Sequence, residues 1–282
     1  MINLQPTIST IERLLTEETA ASLTYAALEC RLAIERICYE RLRISHDYIS
    51  HDDVKRWQPR DVVMKLIQEV DPKIVSTYTL SISKEPNPNS GYQPSKEEYQ
   101  AMEFVPIGTQ IGFNPNKLAK LWHALAGLAL HVKVPESKKS EVCQYGDSDK
   151  IRAKVIEALE EIRRIDEGTL ISSGSGEDIS FVCPCGTKNK RKVGLLQDQQ
   201  VISCINPTCK ESFVYQIGDH SFGRRVFEIL CRNCKMTKSV PKKMLESLGT
   251  DKNINYLCVG CDEKIILQWR PMQAQKTNPN IQ

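Results

Sequence analysis

The sequence lacks any long apolar run. Its 282 residues are 40% hydrophobic and 26% charged, which is typical of a globular protein. No apolar stretch approaches the roughly 18 residues that a membrane-spanning helix needs. The first residues, MINLQPTISTIERLLTEE, also lack the basic-then-apolar layout of a signal peptide. We therefore expect a cytoplasmic protein that does not enter a membrane.

The motifs of several common enzyme classes are also missing. The chain has no glycine-rich phosphate loop, no Gly-x-Ser-x-Gly sequence and no His-Glu-x-x-His sequence. These absences exclude P-loop nucleotide hydrolases, α/β-hydrolases and zinc proteases of the His-Glu-x-x-His type. They favour a binding protein without catalytic residues.

Charge is divided unevenly along the chain. Residues 1–180 hold 22 Lys and Arg against 27 Asp and Glu, a net charge of −5. Residues 181–270 hold 15 against 8, a net charge of +7. The length predicts roughly two domains, and the basic C-terminal part is the one expected to meet an anionic partner.

The first 168 residues have the periodicity of an α-helical bundle. Apolar residues recur at steps of three and four and predict a long helix from about Thr16 to Ile44. Four further helices are predicted: a short one around Val54–Trp57, one over about 60–70, one that starts at Asn114-Pro115 and ends before Pro135, and one over 150–166. In residues 75–83, apolar and polar side chains alternate instead, which predicts one arm of a β-hairpin.

A second type of pattern begins after a linker of small residues, TLISSGSGED, at 169–178. There the periodicity changes to two, with short β-prone runs on both sides of each cysteine pair. The arrangement occurs twice and predicts two β modules, at 179–220 and 221–271, followed by a disordered tail at 272–282. The fold class is therefore α+β and multidomain, with an N-terminal α-helical bundle and a C-terminal pair of small β modules.

Eight of the eleven cysteines form four close pairs within these β modules. The missing export signal and the length of the chain argue against a disulfide framework. Two tight turns brought together by a β-hairpin can instead hold one tetrahedral Zn²⁺, which is a zinc ribbon. The spacing predicts two zinc ions with these ligands: Cys183, Cys185, Cys204 and Cys209 for the first, and Cys231, Cys234, Cys258 and Cys261 for the second.

The pairing of the cysteines has an alternative, in which Cys204 and Cys209 share an ion with Cys231 and Cys234. In either arrangement all four ligands are protein atoms, so no position stays open for water or substrate. Both zinc ions are therefore expected to be structural, supplying folding energy to modules that have too little core of their own.

Basic residues surround the cysteine pairs, with aromatic residues interspersed. Cations that neutralise phosphates, together with aromatics that stack on bases, predict a surface for nucleic acid. A protein partner and a purely structural role are the alternatives. The residues expected to contact nucleic acid are Lys188, Lys190, Arg191, Lys192, Arg224, Arg225 and Lys235.

The helical region, over residues 20–135, resembles the HEPN-like domains of many bacterial defence and toxin proteins. The similarity rests on three segments, ALECRLAIERICYERL, WQPRDVVMKLIQEVDP and LAKLWHALAGLALHV. The resemblance implies a helical bundle that forms homodimers. It also implies that catalytic members are metal-independent ribonucleases with an Arg-x4–6-His motif, in which the histidine acts as acid or base and the arginine holds the phosphate.

One match to that motif is present, from Arg41 to His46, at the end of the first long helix. The later helix offers His123 but has only lysines before it. We therefore favour a zinc-binding adaptor or regulatory protein, in which the basic ribbons contact nucleic acid or a protein partner and the helical bundle mediates dimerisation. The alternative is a ribonuclease effector that uses Arg41 and His46, or His123.

Overall fold

Helix α2 is the centre of the N-terminal region in this computed structural model. The structure describes residues 2–50, 54, 58–85, 94–135, 137–139, 142–174 and 176–268, so the predicted tail at 272–282 and residues 55–57 of the predicted short helix lie outside the described residues. The chain divides into two compact units: Met1–Ile179 with Lys190–Leu195, and Ser180–Asn189 with Leu196–Gln282. None of the helices within the described ranges is long and apolar enough to cross a membrane.

The first unit is mainly helical and contains one small antiparallel sheet. Its described residues also form 3-10 turns at His46–Tyr48 and Val193–Leu195 and a π-helical turn at Ala126–Leu130. The helices are α1 Gln5–Glu17, α2 Ala20–Ile44, α3 Pro59–Glu69, α4 Lys96–Ala101, α5 Pro115–Leu125 and α6 Ser148–Asp166, and the paired strands are β1 Tyr78–Ser83 and β2 Phe104–Gln110.

The core of this unit lies where α1, α3, α5 and α6 pack around α2. The spacing of the apolar residues along α2 explains this position, because residues three and four apart share a helix face. The buried side chains of α2 include Leu23, Cys30, Ile34 and Ile37. They form one cluster with the apolar faces of α1, α5 and α6.

The predicted helix that starts at Thr16 is in fact interrupted. Glu18 has φ of 56°, which is a left-handed conformation that ends α1. The Thr19 side chain then accepts a hydrogen bond from the Ser22 backbone amide, and Ser22 Oγ accepts one from the Thr19 amide, 3.1 Å away. This reciprocal cap starts α2 at Ala20.

The segment predicted as a linker at 169–178 belongs in part to the first unit. Thr169 and Leu170 donate backbone hydrogen bonds to Thr109 of β2, at 2.9 and 3.1 Å. The Ser172 amide donates to Gln110 Oε1 at 3.1 Å. These bonds satisfy backbone groups that a solvated linker would leave to water. The second unit begins at Ser180, one residue after the predicted start of the first β module, and Lys190–Leu195 of that module belong to the first unit.

The C-terminal region consists of short strands and one short helix. The strands form hydrogen-bonded groups, namely the pair β3 and β4, the three-stranded antiparallel sheet β5-β6-β7, and the antiparallel pairs β8–β9 and β10–β11. Helix and sheet are thus segregated along the chain, as expected for an α+β protein. The bounds are β3 Asp178–Val182, β4 Lys188–Lys192, β5 Val201–Ser203, β6 Ser212–Gln216, β7 Ser221–Arg224, β8 Val226–Leu230, β9 Thr237–Pro241, α7 Lys242–Glu246, β10 Asn253–Leu257 and β11 Lys264–Gln268.

The cap at Thr19 gives a first prediction. Thr19→Ala removes the oxygen that satisfies the Ser22 amide, so it should lower the free energy of unfolding by about 1 kcal/mol. Urea unfolding followed by circular dichroism at 222 nm, which is dominated by the helices, measures this. Ser9→Ala, at an exposed position of α1, is the control and should change stability little. Equal effects of the two substitutions would contradict a specific role for the cap.

Candidate metal centres

The first group of four cysteines is assembled at the ends of strands β3, β5 and β6. The sulfur atoms of Cys183, Cys185, Cys204 and Cys209 all lie within 4.8 Å of one another. The Sγ–Sγ distance is 3.7 Å between Cys183 and Cys209, and also between Cys185 and Cys204. The grouping is sequential rather than interleaved.

Local turns explain how irregular spacing still yields a compact group. Only Pro184 separates Cys183 from Cys185. Directly after this pair, the Gly186 amide donates to the Cys183 carbonyl at 2.8 Å, and Gly186 has φ of 85°. Glycine adopts that conformation without steric cost, so a single residue between the cysteines is enough. Four residues separate Cys204 from Cys209. There the Cys209 amide donates to the Asn206 carbonyl at 3.0 Å, which folds these residues into a turn.

The second group, Cys231, Cys234, Cys258 and Cys261, follows β8 and β10 and is more regular. Its sulfur atoms also lie within 4.8 Å of one another. The Sγ–Sγ distances are 3.7 Å from Cys231 to Cys261 and 3.5 Å from Cys234 to Cys258.

The two turns of the second group have the same construction. The Lys235 amide donates to the Cys231 carbonyl at 3.0 Å, and the Asp262 amide donates to the Cys258 carbonyl at 2.9 Å. Both donating residues have positive φ, 62° for Lys235 and 56° for Asp262. Two equal turns, each closing one Cys-x2-Cys pair, present four sulfur atoms towards a common centre.

Within each group, nearby thiols and backbone amides change the tendency of the cysteine thiols to ionise. Burial raises the pKa of the Cys183 thiol. Burial also acts against ionisation of Cys185, but hydrogen bonds with Thr187 and with the neighbouring thiols outweigh it and lower the pKa to about 6. Hydrogen bonds from the Cys234 and Asn233 backbone amides lower the pKa of Cys231 to about 7. Because the thiolate is the form that binds metal, each group holds a sulfur that is ready to act as a ligand.

Two asparagines outside the predicted ligand set complete the first centre. Asn189 is fully buried; its Oδ1 accepts from the Ile205 amide at 2.9 Å, and its Nδ2 lies 3.8 Å from Cys204 Sγ. Asn206 Nδ2 lies 3.9 Å from Cys185 Sγ. Such contacts orient thiolate ligands and offset their charge. The only signal in the sequence is an asparagine that interrupts the basic run KNKRK.

The three remaining cysteines lie elsewhere. Cys30 and Cys38 are buried in the core of the first unit, where burial raises the pKa of each thiol to about 12. Such thiols are inert packing residues. Cys143 is exposed. The structure thus brings together the eight cysteines of the predicted ligand sets and leaves these three outside them.

The basic residues of β4 are less exposed than their charge suggested. Arg191 and Lys192 are buried, while Lys188 is exposed and Lys190 is half-buried. Lys192 Nζ lies 2.7 Å from Asp178 Oδ1 and 5.1 Å from the centre of the Tyr48 ring. The burial of Arg191 and Lys192 withdraws both residues from any exposed nucleic-acid surface.

Two of the remaining predicted contacts are engaged in ion pairs. Arg224 Nε lies 2.8 Å from Glu211 Oε2, and a second nitrogen contacts the other carboxylate oxygen. Arg225 pairs with Glu246 at 2.8 Å. Lys235 is exposed, and its Nζ donates to the Arg232 carbonyl at 3.0 Å. Of the seven residues, only Lys188 and Lys235 are therefore exposed without an ion pair among the described residues.

The aromatic residues of the first β module contact one another. The Phe181 ring centre lies 4.6 Å from that of Phe213 and 4.3 Å from that of Phe222. The Tyr215 ring packs on Phe222 at 5.3 Å. Phe181, Phe213 and Phe222 also form one apolar cluster with Cys183, Cys204 and Cys209. These rings are the core of the module, so their faces are not available for stacking on bases.

Arg41 is a core residue rather than a phosphate ligand. Its side chain is 2% exposed, and its guanidinium donates to Gln110 Oε1 and, at 3.4 Å, to the Ile111 carbonyl. Burial lowers the pKa of Arg41 to about 10, which leaves it charged at neutral pH. Gln110 is also fully buried and donates to the Ile74 and Ser76 carbonyls at 3.1 and 3.0 Å.

The two histidines of the ribonuclease alternative lie on the surface of the first unit. His46 is exposed in the 3-10 turn after α2, and His123 is exposed on α5 with its ring edge-on to Trp122 at 4.9 Å. Because the Arg41 guanidinium is enclosed by protein atoms, the pair Arg41 and His46 does not present a phosphate site to solvent.

Comparison of the chain with protein-family models, with curated proteins and with solved structures finds no match in any of the three. The resemblance of the helical region to HEPN-like domains therefore stays a prediction that rests on the sequence.

The position of Asn189 predicts a specific effect on metal retention. Asn189→Ala should weaken metal binding at the first centre by roughly 10- to 100-fold, because the turn that carries Cys204 loses its anchor. Competition with a chromogenic chelator measures the metal affinity of each centre. Asn255→Ala, an exposed asparagine on β10, is the control. Equal chelator sensitivity of wild type and Asn189→Ala would contradict the assignment.

The burial of Arg41 predicts a structural role. Arg41→Met leaves Gln110 without its charged donor and should lower the free energy of unfolding by about 2 kcal/mol. Arg43→Met on the same helix, where the side chain is 70% exposed, should have an effect below about 0.5 kcal/mol. Chemical denaturation of the two variants compares them. An Arg41→Met protein as stable as the wild type would contradict this structural role.

Proposed function

We propose that this protein is a non-enzymatic adaptor whose two C-terminal β modules are zinc ribbons, each stabilised by one structural zinc ion. The observation that carries this proposal is the convergence of eight cysteine sulfurs into two groups of four, each within 4.8 Å. The ribbons contact a partner macromolecule, and the helical unit provides the second interaction surface that an adaptor needs.

The sulfur geometry supports zinc. Four sulfurs at about 2.3 Å from a tetrahedral zinc ion lie ~3.8 Å apart, and the closest Sγ–Sγ distances are 3.5–3.7 Å. Tetrahedral four-sulfur sites hold either zinc or iron. A single iron ion would fit the same distances, so elemental analysis decides between the two metals.

A structural role for the metal follows from the composition of the ribbon core. In the first ribbon, Cys183, Cys204 and Cys209 belong to the same cluster as Phe213 and its aromatic neighbours. The sulfurs that bind the ion are therefore also the centre of the core. A module of this size buries too little apolar surface to fold without a further source of stability, and metal binding supplies it.

The burial and ion pairing of the charged residues change which class of partner we expect. Nucleic-acid binding through the first ribbon is disfavoured, because its aromatic rings pack on each other and Arg224 is held by Glu211. Within the second unit, the first ribbon comprises residues 180–189 and 196–224. It has three basic and three acidic residues. Residues 225–268 have eight basic and five acidic residues, so the net positive charge lies on the second ribbon. We propose that partner contact occurs there and that the partner is a protein.

The ribonuclease alternative lacks comparable support. Its arginine is enclosed by Gln110, Ile111 and Phe113, and a phosphate would have to displace these contacts. His123 remains exposed on α5, but the cations that precede it on that helix are Lys117 and Lys120, and not the arginine that the motif requires.

The proposal predicts two zinc ions per chain. Protein purified without oxygen should contain two zinc equivalents by inductively coupled plasma mass spectrometry. Cys204→Ser and Cys258→Ser should each reduce the content to about one, because each removes a ligand from a different group. The exposed Cys143→Ser is the matched control and should retain both.

Helical circular dichroism should survive removal of the metal in each case, because the helical core is a separate cluster. A wild-type content far below two, or iron in place of zinc, would overturn the zinc assignment. Incubation of the same sample with RNA and chelator tests the alternative, and cleavage that is lost in His123→Ala would favour the nuclease.

A further inference from the structure

The second ribbon exposes more apolar surface than a small module usually does. Leu230, Leu257 and Ile266 are each more than half exposed. Leu230 and Ile266 line a groove of about 380 Å³, bounded by the end of β8 and by β11. Leu257 continues the apolar surface on the same face, because it lies diagonally across the β10–β11 register from Ile266. Exposed contiguous apolar surface of this kind marks an interaction site.

Cations border the same groove. Arg232 and Lys264 line it together with one acidic residue, Glu263. The result is an apolar floor with a predominantly positive rim. We call this surface the ribbon groove.

The strand arrangement indicates the shape of the occupant. Within the described residues, β8 is hydrogen-bonded only to β9, and β11 only to β10. The ribbon groove thus lies between two strands that each have an edge without a neighbouring strand. An extended segment can add to such an edge through its backbone and place alternate side chains on the apolar floor.

Charge decides between the classes of occupant. A second copy of this chain in a two-fold contact would set the positive rim against itself, and like charges in contact disfavour association. Nucleic acid would meet the cations but would leave Leu230, Leu257 and Ile266 against phosphate and sugar. Among the described residues that line the groove there is no aromatic side chain for base stacking. A segment that carries both aliphatic and acidic residues satisfies the floor and the rim together.

We propose that the ribbon groove binds an extended, acidic segment of a partner protein, in which aliphatic residues alternate with Asp or Glu. This inference rests on the proposed adaptor function and deepens it by naming the class of partner. The aliphatic residues contact Leu230 and Ile266, and the carboxylates pair with Arg232 and Lys264.

The test is a selection from a random 12-residue peptide library displayed on phage, against immobilised, zinc-loaded full-length protein. Selected peptides should be enriched in alternating aliphatic and acidic residues. A synthetic copy of the most frequent peptide should bind in fluorescence anisotropy and weaken as salt rises from 50 to 500 mM, because the rim contacts are exposed to screening.

Variants localise the binding. Lys264→Glu and Ile266→Asp should each lower the affinity for the peptide by at least about 10-fold. The first removes a charge contact and the second an apolar contact. Lys252→Glu, an exposed lysine outside the groove, and Val201→Asp, an exposed valine of the first ribbon, are the matched controls and should bind as the wild type does. Zinc content of two per chain in every variant shows that the ribbons are intact.

The possible failures are distinguishable. Absence of zinc from the wild type would overturn the proposed function itself. Two zinc ions with no enriched peptide, with basic peptides, or with equal binding by wild type and Lys264→Glu would overturn only the groove assignment. Binding of a single-stranded RNA or a duplex DNA that is lost in Lys264→Glu would reassign the groove to nucleic acid, and a concentration-dependent dimer lost in Ile266→Asp would reassign it to a second copy.

Discussion

The C-terminal half of the molecule depends on the packing of four sulfur atoms at each of two points. A strand of three to five residues buries little surface, and a two-stranded sheet is only marginally stable in water. In the first ribbon the cysteines form the centre of the apolar cluster, with Phe181, Phe213 and Phe222 packed around them. The aromatic packing of the first β module therefore depends on these sulfurs staying together.

The helical unit obeys a different constraint. Its stability comes from apolar residues on four helices that meet along α2, and the buried cluster extends from Ile2 to Ile165. One charged residue, Arg41, is enclosed at the end of α2, where Gln110 and the Ile111 carbonyl receive its hydrogen bonds. A buried charge is tolerated only when such acceptors are fixed in place. Arg41 therefore joins the end of α2 to the end of β2, and this explains why a residue that resembles part of a catalytic motif is unavailable for catalysis.

The sequence predicted the features that depend on periodicity and spacing. The apolar stripe of α2, the helix capped by Asp147 and the sequential cysteine groups all follow from local patterns. Other features depend on competition between local signals. The break at Glu18 was missed because the left-handed residue that ends α1 is a glutamate and not the usual glycine, and only the cap at Thr19 reveals the second helix start. The strand β2 and the capped helix α4 were also not predicted, because their pairing and packing involve residues distant in sequence.

The exposure of the charged residues was the least predictable property, because strand alternation and ion pairing both decide it. In the run KNKRK of β4, Asn189 and Arg191 point to one side and are buried. On the other side Lys192 is buried beside Asp178, whereas Lys188 faces solvent. Composition counts these residues equally, but the strand separates them. Pairing of Arg224 with Glu211 and of Arg225 with Glu246 removes further positive charge from the surface. What remains is concentrated on the second ribbon beside exposed aliphatic side chains. A surface of that mixed character selects a partner by apolar contact and charge together, and this combination is met by a protein segment more readily than by a phosphate backbone.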